Sequence, residues 1–198
     1  MSKKQYSYTL SNKKIILASC SPRRILLLRQ WGLSFSIIPS NINENSHLKK
    51  PSSIVKNLAF RKASFIAKQH KDKIVLAADT IVVLNGKIIG KPKDKKESTK
   101  IIKELNGSIH KVYTGVAIIY NNKKNVFYDV ASVKMKNLPQ RNLEQLFGKH
   151  MDKAGSYAVQ DRKDNFVEKI YGDYYTVVGL PYLKLAKELK KFDIYLKR

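Results

Sequence analysis

The sequence predicts a single α/β domain built on a mixed, twisted central sheet flanked by helices. Three observations lead there. The run 74–84 is β-branched and apolar on both faces, as a central strand is, and Asn85-Gly86 behind it is a strong hairpin signal. Residues 112–120 and 126–135 flank Asn121-Asn122 as a second, longer hairpin. Between and around these strands lie segments with helical periodicity and recognisable caps, and no repeat or linker divides the 198 residues.

Taken in order, residues 14–19 read as a short buried strand. Ser21-Pro22 then sets an N-cap serine before a proline suited to the first helical position. The helix that starts there has Ile25, Leu26, Leu28 and Trp31 as apolar positions and Gly32 as its stop. Residues 33–38 are a second strand and 40–50 a polar loop. Ser52 or Ser53 caps a helix to about His70, in which Ile54, Val55, Leu58, Ala59, Phe65 and Ile66 recur at helical spacing. After the strand 74–84 and a short return strand through Ile89, Asp94 and Glu97 form an acidic capping box. That helix uses Ile101, Ile102 and Leu105 and ends at Asn106-Gly107. Beyond the second hairpin, Pro139 starts a helix through Phe147, strands fall near 157–160 and 166–170, and 180–189 closes the chain as an amphipathic helix. Residues 1–13 are a polar extension ahead of a domain occupying 14–198.

Composition narrows the function classes. No apolar run approaches the roughly 20 residues of a membrane span, and the polar N-terminus lacks a signal-peptide core. Cys20 is the only cysteine, which excludes an internal disulfide and a thiolate zinc site. A protein of the reducing cytoplasm, with no membrane partner, is expected. Lys and Arg number 39 against 15 Asp and Glu, a formal net charge of +24 that favours anionic partners. The densest stretches, 68–73, 87–100 and 184–198, lie on separate segments. A generally solvated basic surface fits that scatter better than a nucleic-acid stripe.

Three placements are not what local structure alone would choose. Ser19, Ser21, Arg23 and Arg24 sit at a strand-to-helix junction, where free N–H groups and the helix dipole already favour an anion. Two arginines there oppose the dipole, so a phosphate ligand completes the site, unless both are simply solvated. Lys62 falls about 40° from Leu58 at 100° per residue, inside the apolar stripe, while Arg61 sits only at its edge. An ammonium there pairs or serves a ligand, or its stem snorkels out. Asp79 interrupts the core strand, where an ionised carboxylate costs several kcal/mol without a compensating cation or metal. A structural ion pair with a lysine is the competing explanation; Thr80 beside it supplies a hydroxyl, and Lys91 follows the hairpin. No P-loop spacing surrounds Gly90-Lys91, the four histidines show no helical pairing, and Cys20 has no evident base partner.

The ordered segments Leu17-Ala18-Ser19-Cys20-Ser21-Pro22-Arg23-Arg24, Ala78-Asp79-Thr80, Gly90-Lys91-Pro92-Lys93, Val112-Tyr113-Thr114-Gly115-Val116, the run 152–160 ending in Gln160, and Val177-Val178-Gly179-Leu180-Pro181 together resemble the Maf family of nucleoside triphosphate pyrophosphatases. The resemblance runs from about Lys14 to Phe192. It implies a fold akin to the inosine triphosphate pyrophosphatases, a divalent cation (Mg²⁺ or Mn²⁺), a homodimer, and cleavage of a nucleoside triphosphate to monophosphate and pyrophosphate. It places phosphate binding on Ser19, Ser21, Arg23 and Arg24, the catalytic aspartate on Asp79, and substrate-binding lysines on Lys62 and Lys91. It matches Glu44 to a family glutamate, so that Glu44 and Asp79 would hold the metal. Arg23, Thr80 and Gln160 resemble the dTTP/UTP branch, with Thr80 and Gln160 facing the base. Cys20 departs from the small residue usual there, and the stretch 136–150 is shorter and more basic than its counterpart. The reading from another class is a basic nucleic-acid-binding or division-associated protein with a vestigial pocket, whose affinity would fall steeply with salt.

Overall fold

The structure, a computed structural model, describes residues 14–197. The polar extension expected over 1–13 lies outside the described residues, as does Arg198. The elements are β1 (Ile15–Leu17), α1 (Pro22–Gln30), β2 (Ser36–Ile37), α2 (Pro51–Ala67), β3 (Ile74–Leu84), β4 (Lys87–Ile89), α3 (Lys95–Leu105), β5 (Ile109–Tyr120), β6 (Lys123–Met135), α4 (Gln140–Leu143), β7 (Val167–Tyr171), α5 (Tyr174–Val178) and α6 (Tyr182–Leu189). Among the described residues the strands form one mixed sheet in the order β2-β1-β3-β5-β6-β7, with β4 also on β3. β1 is parallel to β2 and β3; every other pairing is antiparallel. The fold class read from the sequence is the one observed.

β3 is the organising strand. Along one edge it pairs with β5 continuously from Val75 to Val83. Along the other, β1 reaches only to Leu76 and β4 begins only at Val82, which leaves the edge between them without a strand partner among the described residues. Backbone groups there need other partners. This gap is where the cleft forms.

Side chains alternate across the sheet, so odd and even residues of β3 build different cores. Val75 and Ala77 pack under α2 with Ala59, Ala63 and Ile66, and Ile81 and Val83 pack under the same helix with Ile54, Val55 and Leu58. On the opposite face, Ile74, Leu76 and Ala78 join Leu28, Trp31, Leu185 and Leu189, while Val82 and Leu84 join Ile101, Ile102 and Leu105. Each face therefore carries two apolar clusters. The level between them holds Asp79 and Gly115 on one face and Thr80 and Thr114 on the other. A polar seam crosses the sheet at the height of the open edge.

Several local expectations need correction. α2 is capped at Lys50 with Pro51 at its first position, and Ser53 and Ile54 donate to the Lys50 carbonyl. Proline pre-sets the helical φ there, so neither serine is needed as a cap. Leu26 and Phe65 are exposed; the α1 stripe that is buried consists of Arg24, Leu27 and Leu28, continued by Trp31 just past the helix end. The second strand shortens to two residues and the helix after Pro139 to α4 with a 3-10 turn. No strand forms at 157–160, where left-handed Gly155 and Ser156 turn the chain out of any ladder. α5, unforeseen, is capped by Asp173, whose carboxylate accepts from the Tyr175 amide at 2.9 Å, and stopped by Gly179 at φ 121°.

Candidate active site

A cleft of about 850 Å³ opens over the unpartnered stretch of β3. That volume suits a nucleotide-sized ligand. Its walls bring together Ser19, Ser21, Arg23, Arg24, Glu44, Lys62, Asp79, Thr80 and Lys91, all selected from the sequence. Gln160 is the exception. It is exposed on the turn just past the cleft-lining Val159 and does not itself line the cleft.

Asp79, 6% exposed, projects from β3 towards α2, where Lys62, 8% exposed, meets it. The Lys62 ammonium lies 2.6 Å from Asp79 Oδ1 and 2.9 Å from Glu44 Oε1. The ion pair considered as an alternative from the sequence is thus present, but inside the cleft and in company with a second carboxylate. Burial alone would raise the Glu44 carboxyl; the bond from Lys62, with the charges of Lys91 and Arg24, instead holds it below its ordinary range. Two acidic groups converging on one cation form an all-oxygen donor set of the kind that suits Mg²⁺ or Mn²⁺. These residues fit such an ion.

The two arginines of α1 divide their work. Arg24 is buried and spends its guanidinium on the protein's own backbone and hydroxyls. Nε donates to the Gly179 carbonyl at 3.1 Å, Nη1 to Ser19 Oγ at 3.1 Å and the Ala78 carbonyl at 2.9 Å, and Nη2 to Thr80 Oγ1 at 3.0 Å. It therefore closes the open edge of β3 at Ala78 and pins α1, β3 and the end of α5 together. Burial lowers the guanidinium to about 10, against the charge of Asp79. Arg23, half-buried on the cleft wall, is likewise lowered by burial, with the charges of Asp152 and Tyr157 opposing. Ser21 occupies the N-cap position without a side-chain capping bond, and the first turn of α1 holds no acidic residue. Its leading amides remain an anion site.

Thr80 continues the polar seam: its hydroxyl meets Thr114 Oγ1 at 2.9 Å, and Thr114 donates to the Thr176 carbonyl at 2.7 Å. Lys91 is exposed on the rim. Its loop is tied by the Gly155 amide, which donates to the Gly90 carbonyl at 3.2 Å. Sequence reasoning passed over Tyr157, which lines the cleft and whose hydroxyl lies 2.8 Å from Nε2 of buried His110. Apart from the cleft, His150, Asp161 and Asp164 bring potential ligand atoms within 4.8 Å of one another. Lys149 ion-pairs with both aspartates, and His150 Nε2 lies 2.6 Å from Asp164. That cluster is already satisfied internally.

The chain matches the Maf-like protein family over residues 14–192. A dTTP/UTP pyrophosphatase of Elusimicrobium minutum is 46% identical over 181 residues, spanning 90% of this chain and 98% of that protein. One from Dictyoglomus turgidum is 42% identical over 186 residues, with 91% and 96% covered. Among solved structures, the Ham1 protein of Staphylococcus aureus superposes with a TM-score of 0.52 at 15% identity, over 92% of this chain and all of that one, which is a likeness of fold. The family match spans every cleft residue named above, and on that ground the chain belongs to the Maf-like protein family.

Proposed function

We propose that the protein hydrolyses nucleoside triphosphates, dTTP and UTP among them, to the monophosphate and pyrophosphate. The observation that carries this reading is the convergence of Asp79 and Glu44 on Lys62 in a cleft that also holds Arg23 and the open N-terminus of α1. The names of the relatives support the substrate class.

In this reading the triphosphate lies along the α1 N-terminus, its oxygens met by backbone amides, Ser21, Arg23, Lys91 and Lys62. Arg24 and Ser19 shape that surface more than they touch the ligand. Asp79 accepts a proton from a water whose oxygen bonds to the α-phosphorus, as the bond from that phosphorus to the α–β bridging oxygen breaks. The bridging oxygen leaves with pyrophosphate, whose charge Arg23 and Lys91 offset. Glu44 and Asp79 would hold Mg²⁺ or Mn²⁺, which when bound neutralises phosphate oxygens and acidifies a water. Thr80, whose hydroxyl is engaged by Arg24 and Thr114, and Gln160 remain base readers proposed from the family resemblance alone. Homodimerisation and a cytoplasmic location belong to the same reading.

Pyrophosphate release from normal and modified triphosphates, with Mg²⁺ and with Mn²⁺, tests it. Metal-dependent release that survives moderate salt is expected, abolished in Asp79→Asn. Undiminished release by that variant, or none from any triphosphate, refutes the assignment.

A further inference from the structure

Arg61 and Lys62 are consecutive on α2 and so diverge by about 100° around the helix. Lys62 enters the interface with β3; Arg61 reaches instead to the loop that carries Glu44. Its Nη1 donates to the Asn45 carbonyl at 2.9 Å and its Nη2 to the Asn43 carbonyl at 2.6 Å. The guanidinium therefore grips the backbone on both sides of Glu44. Between those points the Asn45 amide donates to Asn43 Oδ1 at 2.8 Å, folding a tight Asx turn whose outer residue is the glutamate.

This grip matters because residues 38–49 have neither helix nor strand. A loop of that length is free to wander unless something outside it holds it. Glu44 is itself half-exposed, with a side chain 56% accessible, so burial does not fix its carboxylate. The planar fork of an arginine suits two acceptors at once, where a lysine would hold one.

We infer that Arg61 is a positioning residue: by clamping the Asn43 and Asn45 carbonyls it delivers the Glu44 carboxylate onto Lys62 beside Asp79. The role in turnover rests on the proposed pyrophosphatase reading; the clamp does not.

Two measurements on the full-length protein test it. In Arg61→Gln, amide hydrogen exchange over 40–48 accelerates about tenfold while β3 keeps its protection. Turnover of dTTP falls about tenfold in Arg61→Gln, yet less than about twofold when the same change is made in Glu44→Gln. Arg61→Lys, which keeps the charge without the fork, follows the glutamine variant. Unchanged exchange over 40–48, wild-type behaviour of Arg61→Lys, or an undiminished loss of turnover in the Glu44→Gln background overturns the inference. Failure of the wild type to release pyrophosphate would instead sink the functional reading, and the exchange measurement would then decide the clamp by itself.

Discussion

Asp79 and Gly115 stand directly opposite each other in the β3–β5 register, on the face that packs against α2. A Cβ at Gly115 would fall on the Val55 carbonyl and within 2.8 Å of the Lys56 amide nitrogen, so the glycine is what lets the helix backbone approach the sheet. Close approach is also what brings Lys62, further along that helix, onto Asp79. Gly115→Ala must lift α2 or bend β5, at a cost of about 3 kcal/mol. Urea unfolding should show that loss, and turnover should fall even well below the unfolding midpoint. A variant of wild-type stability would mean the helix has slack that the contacts do not suggest.

Removing the cation from this arrangement should cost more than removing the acid. Lys62→Met strands a buried carboxylate and is expected to destabilise the fold by about 3–5 kcal/mol. Asp79→Asn leaves Lys62 with Glu44 and keeps an amide that can hydrogen-bond, so its loss of stability should be smaller. The double variant should regain part of the Lys62→Met deficit. Denaturant melts of the three proteins measure the cycle, and strict additivity would show that the pair is uncoupled.

Asp79 and Lys62 were legible because each is a charge in an apolar pattern that had room to place it elsewhere. Arg24 carries the same signature, since Arg24, Leu27, Leu28 and Trp31 follow one helical stripe, yet its position at a helix N-terminus pointed more strongly to phosphate. Its real partners, at Ala78 and Gly179, are separated from it by 54 and 155 residues, beyond any local pattern. The short apolar run 157–159 arises because an irregular turn lies against the core, with neighbouring Tyr157 and Ala158 both buried, and a run that short does not by itself distinguish a turn from a strand. Left-handed Ser156, at φ 56°, has no sequence signal comparable to a glycine's. α5, with five residues, is too short for periodicity to emerge.

The division of labour between the arginines predicts opposite phenotypes. Arg24→Lys cannot serve four acceptors in three segments of the chain, and it leaves buried carbonyls short of donors, so a loss of about 3 kcal/mol is expected. Arg23→Ala removes a half-buried cleft charge and should leave stability within about 1 kcal/mol while raising KM for the triphosphate about tenfold or more. Paired urea titrations and steady-state kinetics check both. Equal effects of the two substitutions on KM would mean that Arg24 also reaches the ligand.

His110 supplies a pH dependence with a definite sign. It is 1% exposed, its Nε2 meets the Tyr157 hydroxyl, and its Nδ1 is buried without a hydrogen-bond partner among the described residues. Burial therefore disfavours the imidazolium and lowers its pKa from 6.5 to about 4. Above pH 6.5 the ring is neutral in both folded and unfolded chains, and its full contribution to stability is present. As pH falls from 6.5 to 4 the unfolded chain takes up a proton that the folded one refuses, so stability declines; below 4 both are protonated and the decline stops. The total is about 3 kcal/mol. His110→Gln, which can still hydrogen-bond Tyr157 but does not titrate, should start less stable at pH 7.5 and gain on the wild type by that amount by pH 4. Because the comparison is a difference, the carboxylates that titrate in the same range cancel. Parallel stability curves for the two proteins would show that the imidazole is not held neutral, and that the Tyr157 wall of the cleft is not pinned against an uncharged ring.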